Sequence, residues 1–181
     1  MQDIEELKFP IGKYEPNKNP DSETLNSWIN QIKTFPDQLS KTLAGVDETK
    51  LRWCYRPKGW NTIQLVHHCA DSHMNAFIRF KLALTEDSPI IKPYDEALWS
   101  KLPDSSYENL PLSVGLLTHL HAKWVSLFNA FSMSDLTKTY IHPEHGQVFN
   151  LAETIGNYAW HGRHHLAHIN LAFDSRGKFN D

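Results

Sequence analysis

The sequence predicts an all-α fold: a four-helix bundle with a long crossover connection and a small β-hairpin. Three observations predict it. Four stretches, starting near residues 21, 61, 111 and 150, carry apolar residues at helical period. The proline-bearing interval from Glu86 to Leu110 is too long for a hairpin turn and suits helices that are not simple hairpin neighbours. A single pair of short runs reads as strand. At 181 residues, the chain is expected to form one domain spanning 1–181.

Residues 1–20 carry Pro10, Pro16 and Pro20 with Gly12 and no sustained period, so they read as an irregular N-terminal arm. From Asp21 or Ser22 a first helix presents Leu25, Trp28, Ile29 and Ile32, then Leu39 and Leu43, with a kink or break expected at Pro36. Asn61 with Gln64 forms a capping box that opens a second helix reaching about Leu84, with Ile63, Val66, Ala70, Phe77 and Leu84 facing the core. The connection that follows has room for a helical turn at Asp95 to Trp99. Pro111 suits a first helical position, and Leu116, Leu117, Leu120, Trp124, Leu127, Phe128 and Phe131 keep the period of a third helix. Thr139 to Ile141 and Gln147 to Phe149 flank Pro143-Glu-His-Gly146 as a hairpin. Asn150 with Glu153 caps the fourth helix, whose stripe Ile155, Ala159, Gly162, Leu166, Ile169 and Phe173 ends near Gly177.

Composition excludes several classes of function. No apolar run approaches the ~18 residues of a membrane span, so no membrane association is expected. The acidic start Met-Gln-Asp-Ile-Glu-Glu-Leu lacks the basic flank of a signal peptide, and cytoplasmic residence is the expectation. A net charge of -3 without a Lys/Arg cluster supplies little phosphate-neutralising charge, which argues against a nucleic-acid partner. Cys54 and Cys69 have no CxxC-type spacing and read as reduced core residues.

Histidine is the feature that needs a cause. Of 11, seven fall in two windows: His67, His68 and His73 on the second helix, and His161, His164, His165 and His168 on the fourth. His161 and His165 are four apart, so their side chains point nearly the same way, offset by ~40° and ~6 Å. His164 and His168 make a second such pair on a face ~60° away. The residue after His161 is Gly162, where an HExxH metalloprotease needs glutamate, so that class is excluded. A catalytic divalent ion usually takes three protein donors and keeps an open position, so the second helix would supply the third from His67, His68 or His73. Spacing alone leaves that choice open. Asp71 lies close enough in sequence to orient an imidazole as a hydrogen-bond acceptor. His73, His119, His121, His142 and His145 are not expected as ligands, and Cys69 points to another helix face than its neighbour His68.

The run Leu65-Val-His-His-Cys-Ala-Asp-Ser-His-Met-Asn75, with Ile78-Arg-Phe-Lys-Leu82, Pro93-Tyr-Asp-Glu96 and Trp99, resembles the YfiT branch of the DinB-like superfamily. The resemblance extends from Pro10-Ile-Gly-Lys-Tyr-Glu-Pro16 through Gly59-Trp60 to Trp160-His-Gly-Arg-His-His-Leu-Ala-His-Ile169. It implies an antiparallel four-helix bundle, often a homodimer, holding one nickel or zinc ion on a histidine of the second helix and an HxxxH pair on the fourth. Carried over by position, the ligands are His68, His161 and His165. The branch is described as metal-dependent hydrolases acting on small molecules, and related DinB-like proteins are transferases or isomerases that use low-molecular-weight thiols such as bacillithiol. The expected chemistry is therefore a metal-activated water or thiol nucleophile. Other readings are a non-enzymatic metal-binding stress protein, in which the ion staples two helices, and a plain helical scaffold with surface histidines.

Overall fold

The computed structural model describes residues 3–144 and 146–180. The four expected long helices are present: α2 (Ser22–Leu43), α4 (Thr62–Thr85), α6 (Leu110–Phe128) and α8 (Leu151–Ser175). A short helix α1 (Ile4–Lys8) precedes them, and α3 (Glu48–Leu51), α5 (Glu96–Trp99) and α7 (Met133–Leu136) lie between them. Both predicted capping boxes form: the side chains of Asn61 and Asn150 accept from Gln64 N–H and Glu153 N–H, while those glutamine and glutamate side chains accept from the cap backbone. The arm is not wholly irregular. Asp3 caps α1 by accepting from Glu5 N–H, a start that a five-residue helix without a repeating apolar stripe does not announce.

Pro36 neither ends nor interrupts α2, although it has no N–H for the carbonyl of Ile32 one turn back. That carbonyl has another donor, described below. α2 packs on α6 and α8, and α4 packs on the same two, so α2 and α4 stand diagonally across the bundle. The helices do not simply alternate in direction. Residues 67, 73 and 80 of α4 meet 113, 121 and 128 of α6, so these two neighbours run parallel. Trp28 meets Gly156 and Phe35 meets Gly162, so α2 and α8 are also parallel. Hence the long connection, carrying α5 and two 3₁₀ turns at Pro103–Ser105 and Tyr107–Asn109, is a true crossover. It returns the chain along the bundle so that α6 starts beside the start of α4, and it joins helices that are in contact.

Strands β1 (Thr139–His142) and β2 (Gln147–Asn150) form the hairpin, antiparallel with Thr139 opposite Asn150. Main-chain bonds from Ile91 N–H to Ile141 O and from Ile141 N–H to Pro89 O tie the start of the crossover to it. Apolar burial falls into two clusters. One gathers Ile32, Ala76, Phe80, Trp124, Phe128, Ile155 and Ala159; the other gathers Phe35, Leu39, Leu65, Val66, Ala70, Leu117, Leu166 and Ile169. On α4 the buried stripe passes through Ala76, Phe80 and Ala83, leaving the expected Phe77 and Leu84 only partly buried. The reason is His73, which fills a core position with a polar residue and so hides the true phase of the stripe. Leu116 is exposed, and Phe131 lies past the end of α6. No described helix is long and apolar enough to cross a membrane.

Candidate metal centre

Between the two apolar clusters every long helix except α2 carries histidine. His73 lies between Ala70 and Ala76, His121 between Leu117 and Trp124, and His161 and His165 between Ala159 and Leu166. The result is a polar layer across the waist of the bundle, between two apolar halves. The helices α2 and α8 approach closely there because Gly162 has no side chain: a Cβ would stand 2.9 Å from Phe35 Cδ2. A glutamate at 162 would collide with that ring, which gives the missing HExxH residue a packing cause.

The structure brings His68, His161 and His165 together, with one ring nitrogen of each within 4.8 Å of the others. His161 Nε2 is 3.2 Å from His68 Nε2 and 3.2 Å from His165 Nε2. Two nitrogens at 2.0–2.1 Å from a tetrahedral ion stand about 3.3 Å apart, so the spacing is already that of a coordination edge. The indole of Trp60 packs at a tilt against the His68 ring, 4.7 Å between centroids. Burial keeps these imidazoles neutral. It lowers the pKa of His68 to about 4, helped by repulsion from His164, and holds His161 and His165 far below the ordinary histidine range. Neutral imidazole is the form that binds a metal.

The remaining candidates have other partners. His67 has partners away from the triad: its Nε2 lies 2.9 Å from Ser106 O and its Nδ1 2.8 Å from Ser113 Oγ, tying α4 to the crossover and α6. Cys69 is fully buried and burial pushes its thiol pKa upward, so it is no thiolate. Asp71 does not turn toward the histidines. It lines a depression with Asp104 and Asn109, where burial and the Asp104 charge raise its pKa to about 6. The acceptor expected of Asp71 is supplied by imidazoles: His161 Nδ1 is 2.9 Å from His73 Nε2, and His165 Nδ1 is 3.3 Å from His168 Nδ1. His73 continues to His121, Nδ1 to Nε2 at 2.7 Å, and His121 Nδ1 reaches Ile32 O at 2.6 Å. His168 Nε2 is 3.1 Å from Lys8 O.

His164, His165 and His168 form a second close group. Both ring nitrogens of His168 are engaged, however, and all three residues come from one helix, so that group joins nothing across the bundle. His119 is exposed, His142 sits in β1, and His145 lies outside the described residues. The sequence names His73 as a candidate third ligand and discounts both it and His121 as ligands, and it gives neither a role as hydrogen-bond partner to the triad. The available signal was a histidine in phase with a buried apolar stripe, as His121 is with Leu117, Trp124 and Phe128, since a buried polar group needs a partner.

A bundle whose waist gathers neutral imidazoles from three helices, with a close triad drawn from two of them, has the donor set to hold a divalent ion. Residues 31–169 match the DinB superfamily, and the chain belongs to that superfamily. Proteins named "Putative metal-dependent hydrolase" from Bacillus cereus (strain 03BB102) and Bacillus thuringiensis subsp. konkukian are each 47% identical over 168 residues, covering 92% of this chain and 95% of the relative. One of the same name from Bacillus anthracis (strain A0248) is 46% identical over the same span. The solved structure of YfiT from Bacillus subtilis, described as a probable metal-dependent hydrolase with an unusual four-helix bundle topology, superposes with a TM-score of 0.90 at 38% identity. That match covers 94% of this chain and 97% of YfiT.

Proposed function

We propose that the protein is a metal-dependent hydrolase of small molecules, with His68, His161 and His165 holding one divalent ion through Nε2. The observation that carries this reading is the convergence of three neutral ring nitrogens, those of His68 and His165 on buried side chains and that of His161 on a partly buried one, with His161 Nε2 at 3.2 Å from each of the other two. Imidazole ligation suits zinc or nickel, and three protein donors leave coordination positions open. When bound, such an ion supplies Lewis acidity that brings the pKa of a water ligand down toward ~7 or deprotonates a thiol ligand outright. The chain's own part is to fix the geometry and to exclude solvent. Trp60 packs against His68, Phe35 and Gly162 close the α2 side, and the two apolar clusters keep the layer in a low-dielectric setting where a charge acts strongly.

One observation favours a second nucleophile. Among the described residues no carboxylate is hydrogen-bonded to the three histidines, and Asp71 faces elsewhere. A thiol substrate ionises more readily than water and needs less help from a general base. Transfer of a low-molecular-weight thiol onto an electrophile is therefore the alternative reaction. Both readings are tested by assaying protein stripped with a chelator and reloaded with zinc or nickel. Esters and amides are one panel; glutathione-type and bacillithiol-type thiols with an electrophile are the other. Turnover of the first panel that disappears on stripping and returns on reloading is expected. Turnover confined to the second reassigns the reaction, and activity equal with and without metal overturns both.

A further inference from the structure

The proposed ion needs a lone pair on Nε2 of both His161 and His165, yet a neutral imidazole carries its proton on either nitrogen. What sets the choice lies outside the triad and can be traced from two main-chain oxygens that can only accept. Pro36 has no N–H, so the Ile32 carbonyl inside α2 has no helical donor, and His121 Nδ1 stands 2.6 Å from it. His121 must therefore carry its proton on Nδ1, which leaves Nε2 as an acceptor. Its neighbour at 2.7 Å, His73 Nδ1, is then the donor, and His73 Nε2 becomes an acceptor in turn. The His161 Nδ1 at 2.9 Å donates to it, and the His161 lone pair falls on Nε2, the atom that faces the triad.

The second path has the same logic and a different anchor. Lys8 is the last residue of α1, so its carbonyl is one of those that a helix end leaves without a partner. His168 Nε2 donates to it at 3.1 Å, His168 Nδ1 accepts from His165 Nδ1 at 3.3 Å, and the His165 lone pair falls on Nε2. Both paths consume every ring nitrogen they pass through, and both end on the two atoms 3.2 Å apart.

We propose that His73, backed by His121 and the Ile32 carbonyl, and His168, backed by the Lys8 carbonyl, are positioning residues that hold His161 and His165 in the Nδ1–H tautomer and aim both Nε2 lone pairs at one point. The proposal rests on the triad as the metal site and adds what orients it. It also gives a role to two local features: Pro36 inside α2, and α1 docked on α8. The imidazoles stay neutral throughout, so the device is one of proton placement, with no change of charge.

Two measurements test it on the full-length protein. In metal-free protein labelled with ¹⁵N-histidine, long-range proton–nitrogen spectra read which ring nitrogen carries the hydrogen. Nδ1–H for both His161 and His165 is expected; Nε2–H at either overturns that path. Because no metal is present, this result stands even if the wild type binds none, an outcome that would sink the metal reading alone. The second measurement is affinity for Co²⁺, read by its visible absorption against a competing chelator. His73→Leu and His168→Leu remove the acceptors and should each weaken binding by about 10–100-fold. His73→Gln puts an amide oxygen near the lost Nε2, and His168→Asn puts one near the lost Nδ1, so each should recover most of that loss. Loss of equal size in the leucine and amide variants, with the fold retained, would mean packing alone is at work and would overturn the assignment.

Discussion

Replacing Gly162 with alanine should destabilise the protein, although alanine is the better helix former. In a helix interior glycine is worth about 1 kcal/mol less than alanine, so the substitution taken alone is favourable. Here the new methyl would stand 2.9 Å from Phe35 Cδ2 and 3.1 Å from Cγ, and that ring is itself packed between α2 and the His73 and His121 rings. Overpacking of this kind costs about 1–3 kcal/mol, which outweighs the propensity gain and leaves a net loss on the order of 1 kcal/mol. For a chain of this size that lowers the melting temperature by about 2–4 °C. Gly115 in α6 is the internal control, because a Cβ there meets nothing within 4 Å. Gly115→Ala should raise the melting temperature by a similar amount. Circular dichroism melts of both variants, metal-free, separate the effects. Equal stabilisation by both would refute the close α2–α8 contact on which the placement of His161 depends.

Two further outcomes follow from the buried histidines. His121 is lowered to about 4, chiefly by burial, so between pH 6.5 and 4 the unfolded chain binds a proton that the folded one refuses. Stability is then complete above pH 6.5 and falls as the pH drops through this window, by on the order of 3 kcal/mol for that group alone, as denaturant titrations at stepped pH would show. A flat profile from pH 7 to 4.5 would contradict it. His121→Phe leaves the Ile32 carbonyl and His73 Nδ1 without partners, at about 1–3 kcal/mol. In a Pro36→Ala background the backbone N–H restored at position 36 serves that carbonyl, so the same substitution should cost about 1 kcal/mol less, whereas strict additivity in the double-mutant cycle would remove the link.

How much of this was legible beforehand differs between fold and site. The long helices were readable because apolar period and capping boxes are local signals, and Asn61/Gln64 and Asn150/Glu153 mark their starts within a residue. The parallel pairing of α4 with α6 was not, because direction is set by how far the crossover travels and not by any residue in it. The HxxxH spacing on α8 was visible, but His67 and His68 are equivalent in sequence; only the helix phase sends one to Ser106 and Ser113 and the other to the waist. Asp71 looked like the natural acceptor because carboxylates usually fill that role, and three-dimensional packing gave it to His73 and His168 instead. Pro36 read as a helix breaker, since the His121 donor that serves Ile32 comes from a segment almost ninety residues away.

Three side chains sharing one ion are the centre of the proposed chemistry. Elemental analysis of protein purified without added chelator, for the wild type and for His68→Ala, His161→Ala, His165→Ala and the exposed His119→Ala, tests this directly. Near-stoichiometric zinc or nickel is predicted in the wild type and in His119→Ala, with nearly all of it lost in each of the other three while helical circular dichroism persists. Undiminished metal in any of those three, or none in the wild type after reloading, would contradict it.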